Sequence, residues 1–236
     1  MNELDRLRRL AVVSGGLGLV IGALAVVQFV IAFHGDPEAA FFGTPSAILG
    51  GDPASAVWLR RAAFGYMLFP YLLLTPFALF LHRRLRANGP WLADLSVVGG
   101  LAFIFVGACG AAILAVAGPS LVEAYAAASG AEQRADIATA FDLLRNVVFL
   151  GLWQVLESIT LGTWILTTGM LLVRERRFLS SVLVVLGVAV LASGSLTMLG
   201  VRSLTVILVW FAVAATIGIA WGFWRHIKSA ESGNSP

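Results

Sequence analysis

The run from Asn146 to Val173 contains no Lys or Arg and a single acid, Glu157, close to its centre. About 20 mostly apolar residues suffice to cross a bilayer as a helix. No other feature constrains the chain as much: this run must lie in lipid or among other helices, and it carries a carboxyl group to mid-depth. On insertion scales a carboxylate at that depth costs roughly 2.5–3.5 kcal/mol. Glu157 therefore needs a partner, a water-filled cavity or a proton.

Similar apolar runs recur along the chain. Only 12% of its 236 residues are charged, against roughly a quarter in soluble domains. Six spans are predicted, at 11–33, 62–82, 96–118, 146–173, 178–199 and 203–224. The expected fold is all-α: one transmembrane domain over 1–236, a bundle of six helices with outer loops 34–61 and 119–145. The first run follows a basic start (Arg6, Arg8, Arg9), is longer than a signal-peptide core and has no small-x-small site after it. It reads as a retained helix.

Lys and Arg set orientation in such a chain. With the N-terminus inside, eleven basic residues fall on the inner side: Arg6, Arg8, Arg9, Arg83, Arg84, Arg86, Arg174, Arg176, Arg177, Arg225 and Lys228. Five fall outside: Arg60, Arg61, Arg134, Arg145 and Arg202. Both termini are thus expected in the cytoplasm, and the chain in an inner or plasma membrane as a multi-pass protein. Within the second outer loop, Ile137, Phe141 and Leu144 recur at helical spacing among Asp136, Asp142 and Arg145. This pattern predicts a short amphipathic helix running into span four.

The chain excludes several chemistries. One cysteine, Cys109, permits no intrachain disulfide or zinc cluster. There is no HExxH, GxSxG or phosphate-binding glycine loop. The basic residues lie beside apolar runs and form no nucleic-acid patch. His34, His82 and His226 fall at predicted span ends, and Arg83 and Arg225 beside the latter two suit an interface better than a haem. No cofactor, metal site or catalytic residue is assigned, and the balance is against an enzyme.

Small residues let membrane helices approach closely. Span one has Gly18-xxx-Gly22, span six Gly218-xxx-Gly222, and span three Gly99, Gly100, Gly107 and Gly110. Pro70 and Pro76 in span two each remove a backbone donor and predict a kink. Trp58, Trp91, Trp221 and Trp224 fall near interfaces, whereas Trp153, Trp164 and Trp210 lie deeper.

On span four, Gln154, Glu157, Thr160, Thr163 and Thr167 recur every three or four residues and share a broad stripe with Trp153 and Trp164. A polar stripe on a spanning helix faces the bundle. At 1.5 Å per residue, Tyr71 reaches the depth of Glu157 from the same side, and its hydroxyl can donate to a carboxyl oxygen. Thr75, Cys109 and Thr216 fall at similar depth. Glu157, Gln154, Tyr71, Thr160 and Trp153 are the candidate ligand- or ion-binding residues.

The second half resembles an uncharacterised bacterial integral-membrane family, domain of unknown function 4386. The resemblance rests on Leu144-Arg145-Asn146 entering span four and on the basic turn Arg174-Glu175-Arg176-Arg177-Phe178-Leu179-Ser180. It continues in the short turn at Gly200 and the closing Gly222-Phe223-Trp224. It covers about 119–228. The chain departs from it at Phe178 and Leu179, where a Pro and a Trp are expected, and at Leu101–Ile104, where an Arg-x-x-Glu pair is. The resemblance implies about six helices and no known activity.

The leading functional expectation is binding or translocation of a small solute, ion or proton around Glu157. The alternatives are an accessory or scaffold subunit of a membrane complex and a membrane-embedded lipid-modifying enzyme. The expected partners are the lipid bilayer and, across helix faces, a second copy or another membrane protein.

Overall fold

The computed structural model describes residues 54–201, together with positions 5, 6, 9, 13, 16 and 49. Apart from those isolated positions, predicted spans 11–33 and 203–224 lie outside the described residues. So do the two GxxxG motifs, Trp210, Thr216, His34 and His226. Among the described residues every regular element is helical. Three helical stretches are long and apolar enough to cross a membrane: Pro90–Ala127, Ala131–Leu172 and Arg177–Met198.

Helix α1 (Ala54–Tyr66) starts earlier than predicted span two, inside what reads in the sequence as loop. Ala56, Leu59, Ala62 and Ala63 bury one face against Leu114, Ala115 and Val122. This apolar seam extends the helix beyond the most hydrophobic stretch. From there span two is not α-helical. Met67–Tyr71 is π-helical and Leu72–Leu74 is a 3-10 turn before α2 (Thr75–Leu85) begins. Pro70, which has no N–H, lies inside the π stretch, and Pro76 sits in the first turn of α2, where a donor is not needed.

A 3-10 turn, Arg86–Asn88, leads to α3 (Pro90–Ala127), a helix of 38 residues with Pro at its start. At 1.5 Å per residue it is about 57 Å long, well beyond the roughly 30 Å of a bilayer core. The predicted outer segment 119–145 is therefore largely helical, over more of its length than the amphipathic pattern marks. α3 continues through Pro119 to Ala127, and α4 (Ala131–Arg145) turns back against it. Arg134 ties this hairpin: Nε donates to Ala128 O at 3.2 Å and the guanidinium lies over the Tyr125 ring. The amphipathic helix expected around 137–145 is present as α4, with Phe141 buried.

α4 runs into a π-helical stretch, Asn146–Leu156, and then α5 (Glu157–Leu172), an unbroken 42-residue path. After a tight turn, α6 (Arg177–Met198) returns. It ends in a Schellman arrangement: Val201 N donates to Leu196 O, Gly200 N donates to Thr197 O, and Gly200 takes φ 86°.

What sorts the faces of α3 is side-chain size more than polarity, because lipid and protein interior are alike apolar. Val98, Leu101, Phe105, Ile113 and Val116 are exposed, while Gly99, Gly100, Gly107, Gly110 and Ala111 are buried. Trp164 packs over Gly100, and Gly99 approaches the α5 backbone at Thr160 and Trp164. On the other side of α5, Gly162 and Gly169 meet α6 at Leu191 and Val184, and Gly187 of α6 meets the Leu166 backbone.

Charged groups gather at the two ends of these helices. At one end Arg84 makes a two-pronged contact with Glu175 (3.2 and 3.0 Å), and Asn88 Nδ2 donates to Glu175 Oε1 and to Leu171 O. His82 pairs with Asp94 at 2.7 Å nearby. At the far end Arg60 faces Glu123, and Arg145 donates to Asp142 at 2.6 Å.

Candidate functional site

Glu157 is the first residue of α5, directly after the π-helical stretch, and only 4% of its surface is exposed. Tyr71 is the last residue of the other π stretch, Met67–Tyr71, and is equally buried at 4%. The Tyr71 hydroxyl donates to Glu157 Oε1 at 2.7 Å. Among the described residues no ion pair is made to Glu157. The pair that depth alone suggests is thus brought together in the fold.

Three elements hold it. The Tyr71 ring lies in a notch of α3 made by Gly107, where a Cβ would overlap the ring. The ring also meets Phe103 edge-on, with centroids 5.5 Å apart. Trp153 occupies the next notch, at Gly110, and its Nε1 donates to Gly107 O at 3.3 Å. Phe149 packs against Trp153 at 4.8 Å and 89°. Gly107 therefore contacts two aromatic side chains: Tyr71 over its Cα and Trp153 through its carbonyl.

π-helical turns are uncommon and often mark functional positions, since they widen the helix and release the regular i→i−4 bonding. At membrane depth such backbone is tolerated where protein buries it or where it lines a water-filled cavity. Here two π stretches, on two different segments, converge on a single hydrogen bond.

The remaining predicted site residues fall differently. Gln154, three residues before Glu157, is buried at 8% exposed, and its Oε1 has no hydrogen-bond partner among the described residues. Thr160 is not part of the constellation. Its hydroxyl donates to Leu156 O at 2.8 Å and Glu157 O at 3.1 Å, on its own helix. Thr163 and Thr167 do the same with Ile159 O and Thr163 O. The three threonines of the stripe thus donate to their own helix. Trp164 is core, packed with Phe77 and Phe103.

Sequence reasoning overlooks Ser158 and Ser193. Both are buried, and neither hydroxyl has a partner among the described residues. Ser158 stands next to Glu157 and Ser193 opens a Ser-Gly-Ser step within an apolar helix, the two signals that could have marked them. No group of three or more His, Cys, Asp or Glu side chains that could hold a metal is formed among the described residues. Comparison with protein-family models, with curated proteins and with solved structures finds no match for this chain.

Proposed function

We propose that this chain is a six-span membrane protein, with both termini in the cytoplasm, that binds or translocates a small solute, ion or proton at an intramembrane site centred on Glu157. One observation carries the reading: a carboxyl group 4% exposed, hydrogen-bonded to a buried tyrosine, at the meeting point of two π-helical stretches. A carboxyl group is costly within a membrane, and among the described residues Tyr71 is the side chain that hydrogen-bonds it. Gln154 stands one turn away with its carbonyl oxygen unmatched. The resemblance to domain of unknown function 4386 supplies no activity, so the assignment rests on these residues. Inner or plasma membrane placement and the orientation rest on the distribution of Lys and Arg.

The test is flux in proteoliposomes loaded with a pH-sensitive dye and driven by imposed proton or cation gradients. Wild type should dissipate the gradient, and Glu157→Gln, which keeps the shape and the Tyr71 acceptor, should not. Equal flux through both proteins would rule the reading out.

A further inference from the structure

Most buried polar side chains among the described residues have partners. Ser96 and Thr168 bond each other at 2.9 Å, Ser180 donates to Gly169 O, Thr167 donates to its own helix, and Tyr71 donates to Glu157. Three atoms stand apart, with no partner among the described residues: Gln154 Oε1, Ser158 Oγ and Ser193 Oγ. Their residues are 8%, 0% and 3% exposed. An unmatched polar atom at such burial costs about 1–3 kcal/mol, and each one in a native fold calls for an explanation.

All three border one crossing. At Gly194, next to Ser193, α6 is pressed onto the junction of the π stretch with α5. A Cβ there would lie 2.8 Å from Ser158 Cβ, 3.4 Å from Val155 O and 3.6 Å from Gln154 O. Glu157 and Ser158 are consecutive at the start of α5, and Gln154 precedes Glu157 by three residues, in the last part of the π stretch. Tyr71 meets Glu157, and α6 meets Ser158 one residue along at Gly194.

The chemistry is uniform. An amide oxygen, two hydroxyl oxygens and one carboxyl group contain no nitrogen or sulfur donor, and oxygen-only sets suit hard cations. A single carboxylate balances a single positive charge; a divalent ion would leave net charge in a low-dielectric interior. We propose that Gln154 Oε1, Ser158 Oγ and Ser193 Oγ, with the Glu157 carboxylate, form a subsite for a monovalent cation of the sodium type. Tyr71 positions the carboxyl through Oε1. This inference rests on the reading of Glu157 as the intramembrane site, and it names the class of ion.

The full chain in lipid nanodiscs tests it, by thermal unfolding in sodium chloride against choline chloride at equal ionic strength. Sodium should raise the unfolding midpoint saturably. Ser158→Ala and Ser193→Ala, each losing one oxygen, should raise the half-saturating sodium concentration about tenfold or more while keeping wild-type helical content. Ser195→Ala, whose hydroxyl donates to Leu191 O on the exposed face, should keep the wild-type value. No saturable sodium effect in wild type overturns the cation subsite, and so does a sodium response unchanged in both serine variants. If sodium has no effect but Glu157→Gln still abolishes proton flux, only the cation subsite falls. If Glu157→Gln also leaves flux intact, the proposed function falls with it.

Discussion

The Tyr71 hydroxyl lies 2.7 Å from Glu157 Oε1, and each residue marks the end of a π-helical stretch on its own segment. The contact joins positions 86 residues apart in sequence. It couples the irregular part of span two to the irregular part of span four, across α3.

Removing the hydroxyl alone isolates this bond. Tyr71→Phe keeps the ring in its Gly107 notch and against Phe103. Its coupling with Glu157→Leu, which removes the acceptor, should be about 0.6 kcal/mol and at most about 1.7 in a double-mutant cycle, as for side-chain hydrogen bonds between membrane helices. Unfolding titrations in mixed micelles measure it. A coupling indistinguishable from zero would mean the contact does not hold the two segments together.

Gly107 is the support for that contact. A Cβ there overlaps the Tyr71 ring, which has to move and take its hydroxyl away from Glu157. Gly107→Ala should destabilise by about 1–3 kcal/mol, the cost of overpacking, and should abolish flux in the assay above. Gly130→Ala, with open space around its Cβ, should stay within about 0.5 kcal/mol of wild type. The comparison separates a steric effect at the site from a general intolerance of alanine.

Gly187 meets backbone where Gly107 meets a ring. A Cβ there would sit 2.6 Å from Leu166 N and 2.7 Å from Leu166 Cα, and no rotamer change relieves that. Gly187→Ala should therefore push α6 from α5 and cost at least as much as Gly107→Ala, about 3 kcal/mol. The same unfolding titration reads it. A milder effect at Gly187 than at Gly107 would contradict the tight backbone approach.

Glu175, in the turn between α5 and α6, supplies a pH-dependent contribution to stability. The Asn88 amide foremost holds its carboxyl below the ordinary 4.5; burial, next in size, opposes this, and Arg84 and then Arg176 reinforce it. Because the folded-state value is the lower one, the stabilisation is fully present above pH 4.5 and is lost as pH falls through the folded value. The pair is partly exposed, so the loss should be under about 1 kcal/mol. Stability measured from pH 6 to pH 3 should fall less steeply in Glu175→Gln than in wild type. Parallel curves would show that the contact contributes nothing.

Position along the helices is legible in the sequence, because a helix advances a constant 1.5 Å per residue. That arithmetic is enough to pair Tyr71 with Glu157, the contact the fold makes. The apolar cores of spans three, four and five follow for the same reason. Direction around the helix axis was far less legible. On α3 and α5 both faces are apolar, so periodicity does not separate lipid from bundle as it does in water. Hence spacing alone does not show that Thr160, Thr163 and Thr167 donate to carbonyls of their own helix. Ser158 and Ser193 were missed, although both are buried at the α5–α6 crossing.

By itself, then, the sequence determined the long apolar helices, the small-residue seams and the place of Glu157 along its apolar run. All three follow from local composition and helix rise. Only the tertiary structure decided where span two leaves the α-helix, that loop 119–145 folds into a helical hairpin, and which hydroxyls remain unmatched around Glu157. These depend on glycine notches in α3 and α6 that admit a neighbour's ring or backbone, and such contacts arise between segments far apart in the chain.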